Sequence, residues 1–125
     1  MGLRTRGESV KVLVAGGRTR VDQMHIFDVL DALHDERRIT MIIEGGARGA
    51  DMHAHAWAMS RGVHVAVVQA HWERLGKAAG TARNAAMLRL GPDLVVAFPS
   101  SDSKGTWNMV RQAEDAGIRV IMEEV

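Results

Sequence analysis

The sequence predicts an α/β fold: a doubly wound, mostly parallel five-stranded sheet with helices on both faces. Five short runs rich in valine and isoleucine lack a clean alternation of apolar and polar residues, which is typical of strands buried on both faces of a parallel sheet. Segments with helical spacing lie between these runs. This alternation of strand and helix favours right-handed crossovers within one sheet.

The strands are expected at residues 10–15, 39–43, 63–68, 94–98 and 118–122. The helices are expected between them, at residues 22–37, 51–61, 81–90 and 106–116. Ile26, Leu30 and Leu33 recur at helical spacing in the first helix, and Asp22 is expected to cap its start. Gly62 and Gly117 follow the second and fourth helices and indicate their ends.

Length and composition limit the broad class. The chain has 125 residues, which suits one domain, assigned to residues 10–125 with residues 1–9 as a flexible N-terminal tail. It has no cysteine, which excludes a disulfide scaffold and thiolate metal sites. No apolar run approaches the ~20 residues of a membrane span. A formal net charge of +1 gives no strong electrostatic case for nucleic acid. We therefore expect a cytoplasmic domain without a membrane partner.

The predicted topology places the binding site at one edge of the sheet. Ligands of doubly wound sheets bind at the carboxyl ends of the strands, where the strand order reverses. The loops at that edge carry the glycines and polar residues, at 16–18, 45–51, 69–80 and 99–106. The connections at the opposite edge are plain by comparison, so we expect the site at the carboxyl-end edge.

The segment from Glu44 to Asp51 is the strongest local signal. A β-branched run enters a glycine-rich turn that opens a helix, and glycines there permit positive φ and close approach of a ligand. The first amides of a helix lack internal partners and attract anions. Arg48 adds donors suited to phosphate. The alternative is a tight turn in which Asp51 is an ordinary N-cap, with a hydrogen bond to His55 one turn later.

Other familiar motifs are missing. The chain has no GxxxxGK[ST] run and no GxGxxG run, and no acidic residue follows Gly45 at the spacing that would hold a ribose. A P-loop site and an NAD site are therefore disfavoured. Asp51, His53 and His55 follow one another at a spacing of two residues, at which successive side chains do not share one helix face, so no metal site is predicted.

Four groups of residues occur in order at the predicted strand ends. They are Gly16-Gly17-Arg18; residues 45–51; Trp72 with Gly76, Ala79-Gly80 and Arg83-Asn84; and Ala97-Phe98-Pro99 with Gly105-Thr106. Together they resemble the SLOG superfamily of Rossmann-like domains, in particular its small YspA / cpYpsA-related branch, and residues 47–55 are similar to the ARGxDxxAH run of DprA/Smf. The resemblance covers about residues 10–125 and implies a Rossmann-like domain that binds nucleotides or nucleotide-derived ligands.

The related LOG phosphoribohydrolases suggest an enzymatic alternative. In them, an Arg in an RKxxM run and a Glu in a PGGxGTxxE run carry hydrolysis of a nucleoside monophosphate. Arg83 to Met87 resembles the first run, so Arg83 would be catalytic in an N-glycosidase. The second run departs from the pattern, because the position of the catalytic Glu is Met109, which can neither stabilise an oxocarbenium-like centre nor activate water. Asp51, Glu73 and Asp102 are acids that could replace it, and the sequence singles out none.

The expected ligand contacts combine the glycine turns with the basic side chains beside them. Arg18 and Arg48 are expected to clamp a phosphate that lies on residues 45–49 and on Gly105-Thr106. Trp72 either stacks on a base or anchors its loop. The predicted ligand-binding residues are Gly16, Gly17, Arg18, Gly45, Gly46, Ala47, Arg48, Gly49, Asp51, Trp72, Arg83, Asn84, Pro99, Gly105 and Thr106.

Three functions follow from these residues and the resemblance. The leading hypothesis is binding of a nucleotide or nucleotide derivative, as a sensor or accessory factor in nucleic-acid or nucleotide metabolism. The alternatives are a LOG-like phosphoribohydrolase and a DprA-like protein that binds single-stranded DNA. No cofactor is expected to be required. Binding of Mg²⁺ is possible, but no residue indicates it. Relatives of this kind often form homodimers, so a homodimer or higher homo-oligomer is expected.

Overall fold

The computed structural model describes residues 9–19, 21–100 and 103–123. The predicted tail at residues 1–9 lies outside these ranges, except for Ser9. The strands are β1 (Val10–Gly16), β2 (Ile39–Glu44), β3 (His64–Val67), β4 (Leu94–Phe98) and β5 (Arg119–Met122). The helices are α1 (Gln23–Arg37), α2 (Ala50–Arg61), α3 (Trp72–Leu75), α4 (Ala79–Leu88) and α5 (Lys104–Asp115), with a 3₁₀ turn at Gly76–Ala78.

The five strands form one sheet in the order β3-β2-β1-β4-β5. All four pairings are parallel, so the sheet is fully parallel where a mostly parallel one was predicted. The chain moves outward from β1 to β2 and β3, and then returns to place β4 on the other side of β1. The strand order therefore reverses between β1 and β4, and a ligand site is expected at the carboxyl ends of these two strands.

The sheet has a hydrophobic core on each face because successive side chains of its central strands point in opposite directions. On one face, Val12 and Val14 of β1 pack with Leu30 of α1 and Trp57 of α2. On the other face, a second cluster joins the central strands to α4 and α5 through Leu13, Val95, Met87, Met109 and Ala113. The helices thus cover both faces, which confirms the predicted α/β architecture.

The connection after β3 differs from its prediction. Residues 69–80 were expected to form a long polar loop, but they contain α3 and the 3₁₀ turn, and α4 begins at Ala79 rather than at Thr81. Four residues are too few to show helical periodicity, so α3 could not be detected by pattern. The other helices begin and end close to the predicted residues. Asp22 caps α1, because its side chain accepts a hydrogen bond from the Met24 amide at 3.0 Å.

Candidate functional site

A cavity of about 290 Å³ opens at the carboxyl ends of β1 and β4, where the strand order reverses. Its walls come from β1 and the loop after it, the loop before α2, the helix α4 and the start of α5. The lining residues are Val14, Ala15, Gly16, Gly17, Arg18, Ala47, Asp51, Arg83, Asn84, Met87, Ser103, Lys104, Gly105 and Thr106. We call this the first cavity.

Glycines bring three loops into direct contact beneath the first cavity. A Cβ atom on Gly17 would lie 2.2 Å from Ser100 Oγ, and one on Gly49 would lie 2.3 Å from the Gly17 carbonyl oxygen. The Ala50 amide donates a hydrogen bond to that same carbonyl at 3.1 Å. Gly49 is therefore required by the close contact of backbone with backbone, and Gly17 by its close contact with the Ser100 side chain. Gly49 lines neither this cavity nor its neighbour described below, so what the structure shows for it is this packing role.

The first turn of α5 forms the polar wall of the first cavity. Ser103 occupies the N-cap position, but its hydroxyl is engaged with Ser100, from whose amide it accepts a hydrogen bond at 2.8 Å, and it caps no amide of the helix. Within the described ranges, the amides of Lys104, Gly105 and Thr106 have no hydrogen-bond acceptor. The Thr106 hydroxyl likewise has no partner there, although the residue is only 5% exposed. Such a group of free donors at a helix start suits an anion.

Asn84 holds α5 in place. Its side-chain amide donates to the Gly105 carbonyl at 3.1 Å and to Asn108 Oδ1 at 3.0 Å. Asn84 lines the first cavity, but both N–H donors of its side-chain amide are used within the protein. It therefore positions the helix start and does not offer these donors to a ligand.

Arg83 reaches across from α4 to the loop after β2. Its Nη1 donates to the Gly45 carbonyl at 3.1 Å, and a Cβ atom on Gly45 would lie 2.7 Å from Nη1. The Nε atom is buried and has no hydrogen-bond partner in the described part of the chain. Gly45 thus leaves the space that the guanidinium occupies, and Arg83 retains an unused donor beside the cavity.

The loop from Gly45 to Gly49 does not present the free phosphate cradle that its sequence suggests. Asp51 Oδ2 accepts hydrogen bonds from the Gly45 and Ala47 amides, both at 3.2 Å, and Glu44 Oε1 accepts one from the Gly46 amide. The N-cap of α2 is Gly49, so the prediction of Asp51 as N-cap is wrong. The protein's own carboxylates occupy three of the amides that an anion would otherwise contact.

Glu44 is a buried residue of this region that was not among the predicted ligand-binding residues. It is 0% exposed, and its Oε2 lies 2.8 Å from His55 Nδ1. The predicted hydrogen bond from Asp51 to His55 is therefore wrong, because His55 pairs with Glu44. An acidic residue at the end of an otherwise apolar strand, directly before two glycines, was the available signal.

Burial gives Asp51 an unusual ionisation. The side chain is 7% exposed, and this burial, assisted by the nearby charge of Glu44, raises the pKa of Asp51 from 3.8 to about 6. The amides of Ala47 and Gly45 and the charge of Arg83 oppose this increase. Asp51 is thus a carboxyl group in the wall of the first cavity with a pKa raised to about 6.

A second cavity of about 330 Å³ adjoins the first. It is lined by Gly45, Gly46, Arg48, Gln69, Ala70 and Trp72, and by three residues that it shares with the first cavity, Arg18, Ala47 and Arg83. Trp72 begins α3 and is 52% exposed. The structure therefore brings Arg18, Arg48, Trp72 and Arg83 together, as the sequence suggested, whereas Gln69 had not been singled out.

Two other residues named in the sequence analysis, Pro99 and Met109, do not line either cavity. Pro99 follows β4 but lines neither cavity. Met109, which stands where LOG enzymes carry their catalytic Glu, is fully buried in the core beneath α5. Asp102, one of the acids that could replace that Glu, lies outside the described residues.

Across the described ranges, no group of three or more His, Asp or Glu side chains is arranged to hold a metal ion. Within the same ranges, no helix is long and apolar enough to cross a membrane.

Comparison with known proteins adds two findings. The model of a family described as the YspA, cpYpsA-related SLOG family matches residues 10–75. The chain is also similar to the Gene 61 protein of Mycobacterium phage D29, with 41% identity over 117 residues, which cover 89% of this chain and 94% of the phage protein.

Proposed function

Because the chain belongs to the YspA, cpYpsA-related SLOG family, we propose that it binds a nucleotide or nucleotide-derived ligand at the carboxyl-end edge of its sheet. The observation that carries the proposal is the first turn of α5, where the amides of Lys104, Gly105 and Thr106 and the Thr106 hydroxyl have no hydrogen-bond partner among the described residues and border the first cavity. Family membership supports a nucleotide as the ligand, and the free donors of α5 support the position of its phosphate.

The charges around the first cavity favour a phosphate. Arg18, Arg83 and Lys104 line it, and Asp51 is the one acidic residue among its described lining residues. Guanidinium groups form bidentate, charge-assisted hydrogen bonds with phosphate oxygens, and the dipole of α5 adds partial positive charge at the same place. The phosphate would accept hydrogen bonds from the amides of Lys104, Gly105 and Thr106.

We place the phosphate on α5 rather than on the loop of residues 45–49 because the carboxylates of Asp51 and Glu44 already occupy amides of that loop. Bringing a phosphate to the Gly45 and Ala47 amides would require breaking their hydrogen bonds to Asp51 and placing two anions side by side. At the start of α5, a phosphate could bind the amides without breaking any hydrogen bond to a described residue. The glycine loop would then act as a wall of the site.

The proposal is limited to binding. Met109 cannot perform the chemistry of the Glu found in LOG enzymes, and it lies in the core rather than in the cavity wall. Single-stranded DNA would be an alternative occupant of the same basic edge, and its binding would weaken steeply as salt is raised.

Gly105→Asp tests this proposal. Nothing lies within 4 Å of a Cβ atom at this position, so the side chain fits, and an acid in the first turn of a helix does not destabilise it. The new carboxylate would compete for the amides of α5 and repel phosphate. We expect nucleotide affinity to fall by at least about 100-fold, which is about 2.7 kcal/mol, when the four ribonucleoside monophosphates and a short single-stranded DNA are titrated by calorimetry.

Gly105→Ala is the matched control. It adds one methyl group in open space and favours the helix, so affinity should change little while the melting temperature stays the same or rises. Equal affinity of wild type and Gly105→Asp for a nucleotide would place the phosphate elsewhere, and no binding of any of these probes to the wild type would refute the proposed function.

A further inference from the structure

The second cavity contains residues that the proposed phosphate site does not use. It shares Arg18, Ala47 and Arg83 with the first cavity, so one ligand can extend from one cavity into the other. Ligand pockets usually measure roughly 300–1,000 Å³. Each cavity alone lies near the lower end of this range, whereas the two adjoining cavities together fall well within it. No acidic residue is among the described residues that line the second cavity.

Trp72 provides the aromatic surface of the second cavity. About half of it is exposed, so part of the indole is accessible to a ligand. Among the described residues it makes no aromatic pair and no cation–π contact. A Cβ atom on Gly80 would lie 3.6 Å from the far edge of the indole, so the side chain extends along the start of α4 beside the cavity. An exposed indole in a cavity wall suits stacking by a flat heterocycle.

Gln69 and Arg48 provide polar groups in the same cavity. The Gln69 side-chain amide lies over Gly46, where a Cβ atom would be 3.5 Å from its Nε2. Neither Gln69 nor Arg48 forms a side-chain hydrogen bond or an ion pair within the described ranges. A carboxamide offers one donor and one acceptor, which match N7 and the 6-amino group of adenine. A guanidinium offers two donors, which match N7 and O6 of guanine.

We infer that the second cavity binds a purine base of the same ligand, stacked on Trp72 with its N7 edge facing Gln69 or Arg48. This inference rests on the proposed function, since it assumes that the phosphate of the ligand lies in the first cavity. It assigns a purine nucleotide as the ligand class. If the N7 edge of the base faces Gln69, the site selects adenine. If it faces Arg48, the site selects guanine.

The test is a calorimetric titration of AMP, GMP, CMP, UMP and inorganic pyrophosphate into the wild type, Trp72→Ala and Trp72→Phe. We expect one purine nucleotide to bind the wild type at least about tenfold more tightly than CMP or UMP. Trp72→Ala should remove this preference and leave pyrophosphate affinity unchanged, and Trp72→Phe should restore part of it. Trp107→Ala is the matched control, because Trp107 is 45% exposed on α5 and lines neither cavity.

Two further variants identify the purine. Gln69→Ala should weaken AMP selectively if adenine is the base, and Arg48→Ala should weaken GMP selectively if guanine is the base. Equal affinity for all four nucleotides, together with no effect of Trp72→Ala, would overturn the inference and leave the phosphate site intact. No binding of any nucleotide or of pyrophosphate by the wild type would overturn the proposed function and this inference with it.

Discussion

Gly49→Ala is expected to lower the free energy of unfolding by more than about 3 kcal/mol, which is a large part of the stability of a domain of this size. The backbone of Gly49 has φ 78° and ψ −127°, a region that is open to glycine and strained for other residues. The added Cβ atom would lie 2.3 Å from the Gly17 carbonyl oxygen and 2.7 Å from Arg18 Cα. Both contacts are with backbone, so rotation of a side chain cannot relieve them. Chemical denaturation monitored by circular dichroism measures the loss.

Gly76→Ala separates the steric effect from the backbone strain. Gly76 has nearly the same conformation, φ 55° and ψ −125°, but nothing lies within 4 Å of a Cβ atom there. This variant should lose only the cost of the strained backbone, on the order of 1–3 kcal/mol. A Gly49→Ala protein that is as stable as Gly76→Ala would show that the loops after β1 and β2 are not in the close contact described above.

Asp51→Asn is expected to stabilise the protein above pH 6 by up to roughly 3 kcal/mol. The folded protein holds the Asp51 proton more tightly than the unfolded chain does, since burial raises its pKa from 3.8 to about 6. The folded state therefore binds more protons between about pH 4 and pH 6, and stability falls as pH rises through this window. The asparagine oxygen can still accept from the Gly45 and Ala47 amides, and it has no charge to bury.

The pH dependence is the critical readout for Asp51→Asn. The difference in unfolding free energy between wild type and variant should be largest above pH 6, decrease as pH falls, and become small below about pH 4. Asp28→Asn is the matched control, because Asp28 is exposed on α1 and the substitution removes the same formal charge. If Asp51→Asn destabilises the protein at pH 7.5, then the charge of Asp51 is itself important for holding the loop.

The fold could be predicted because its signals are local. The buried Val and Ile runs defined the strands, and Asp22 marked the start of α1 because its cap is a contact within one turn. The carboxyl-end edge followed from topology. Arg18, Arg83 and Gly105-Thr106 lie around one cavity at that edge, and their contact with a ligand stays a prediction.

The interpretations that the structure changes concern side-chain pairings, some within a few residues and some between distant segments, that periodicity does not encode. Asp51 looked like an N-cap by position, but its carboxylate turns back to the loop before α2, and Glu44 pairs with a histidine 11 residues later. Asn84 looked like a ligand contact, yet it is bonded to α5, more than 20 residues away. Which donors remain free at the site depends on these pairings, and composition and periodicity do not determine them.

The most direct measurement is an NMR titration of ¹⁵N-labelled protein with the nucleoside monophosphate that binds most tightly. If the phosphate lies at the start of α5, the amide resonances of Lys104, Gly105 and Thr106 should show the largest changes, and those of Gly45 and Ala47, which are bonded to Asp51, should change less. Largest changes at Gly45 and Ala47 with unchanged α5 resonances would contradict this placement of the site, and so would the absence of any change at saturating nucleotide.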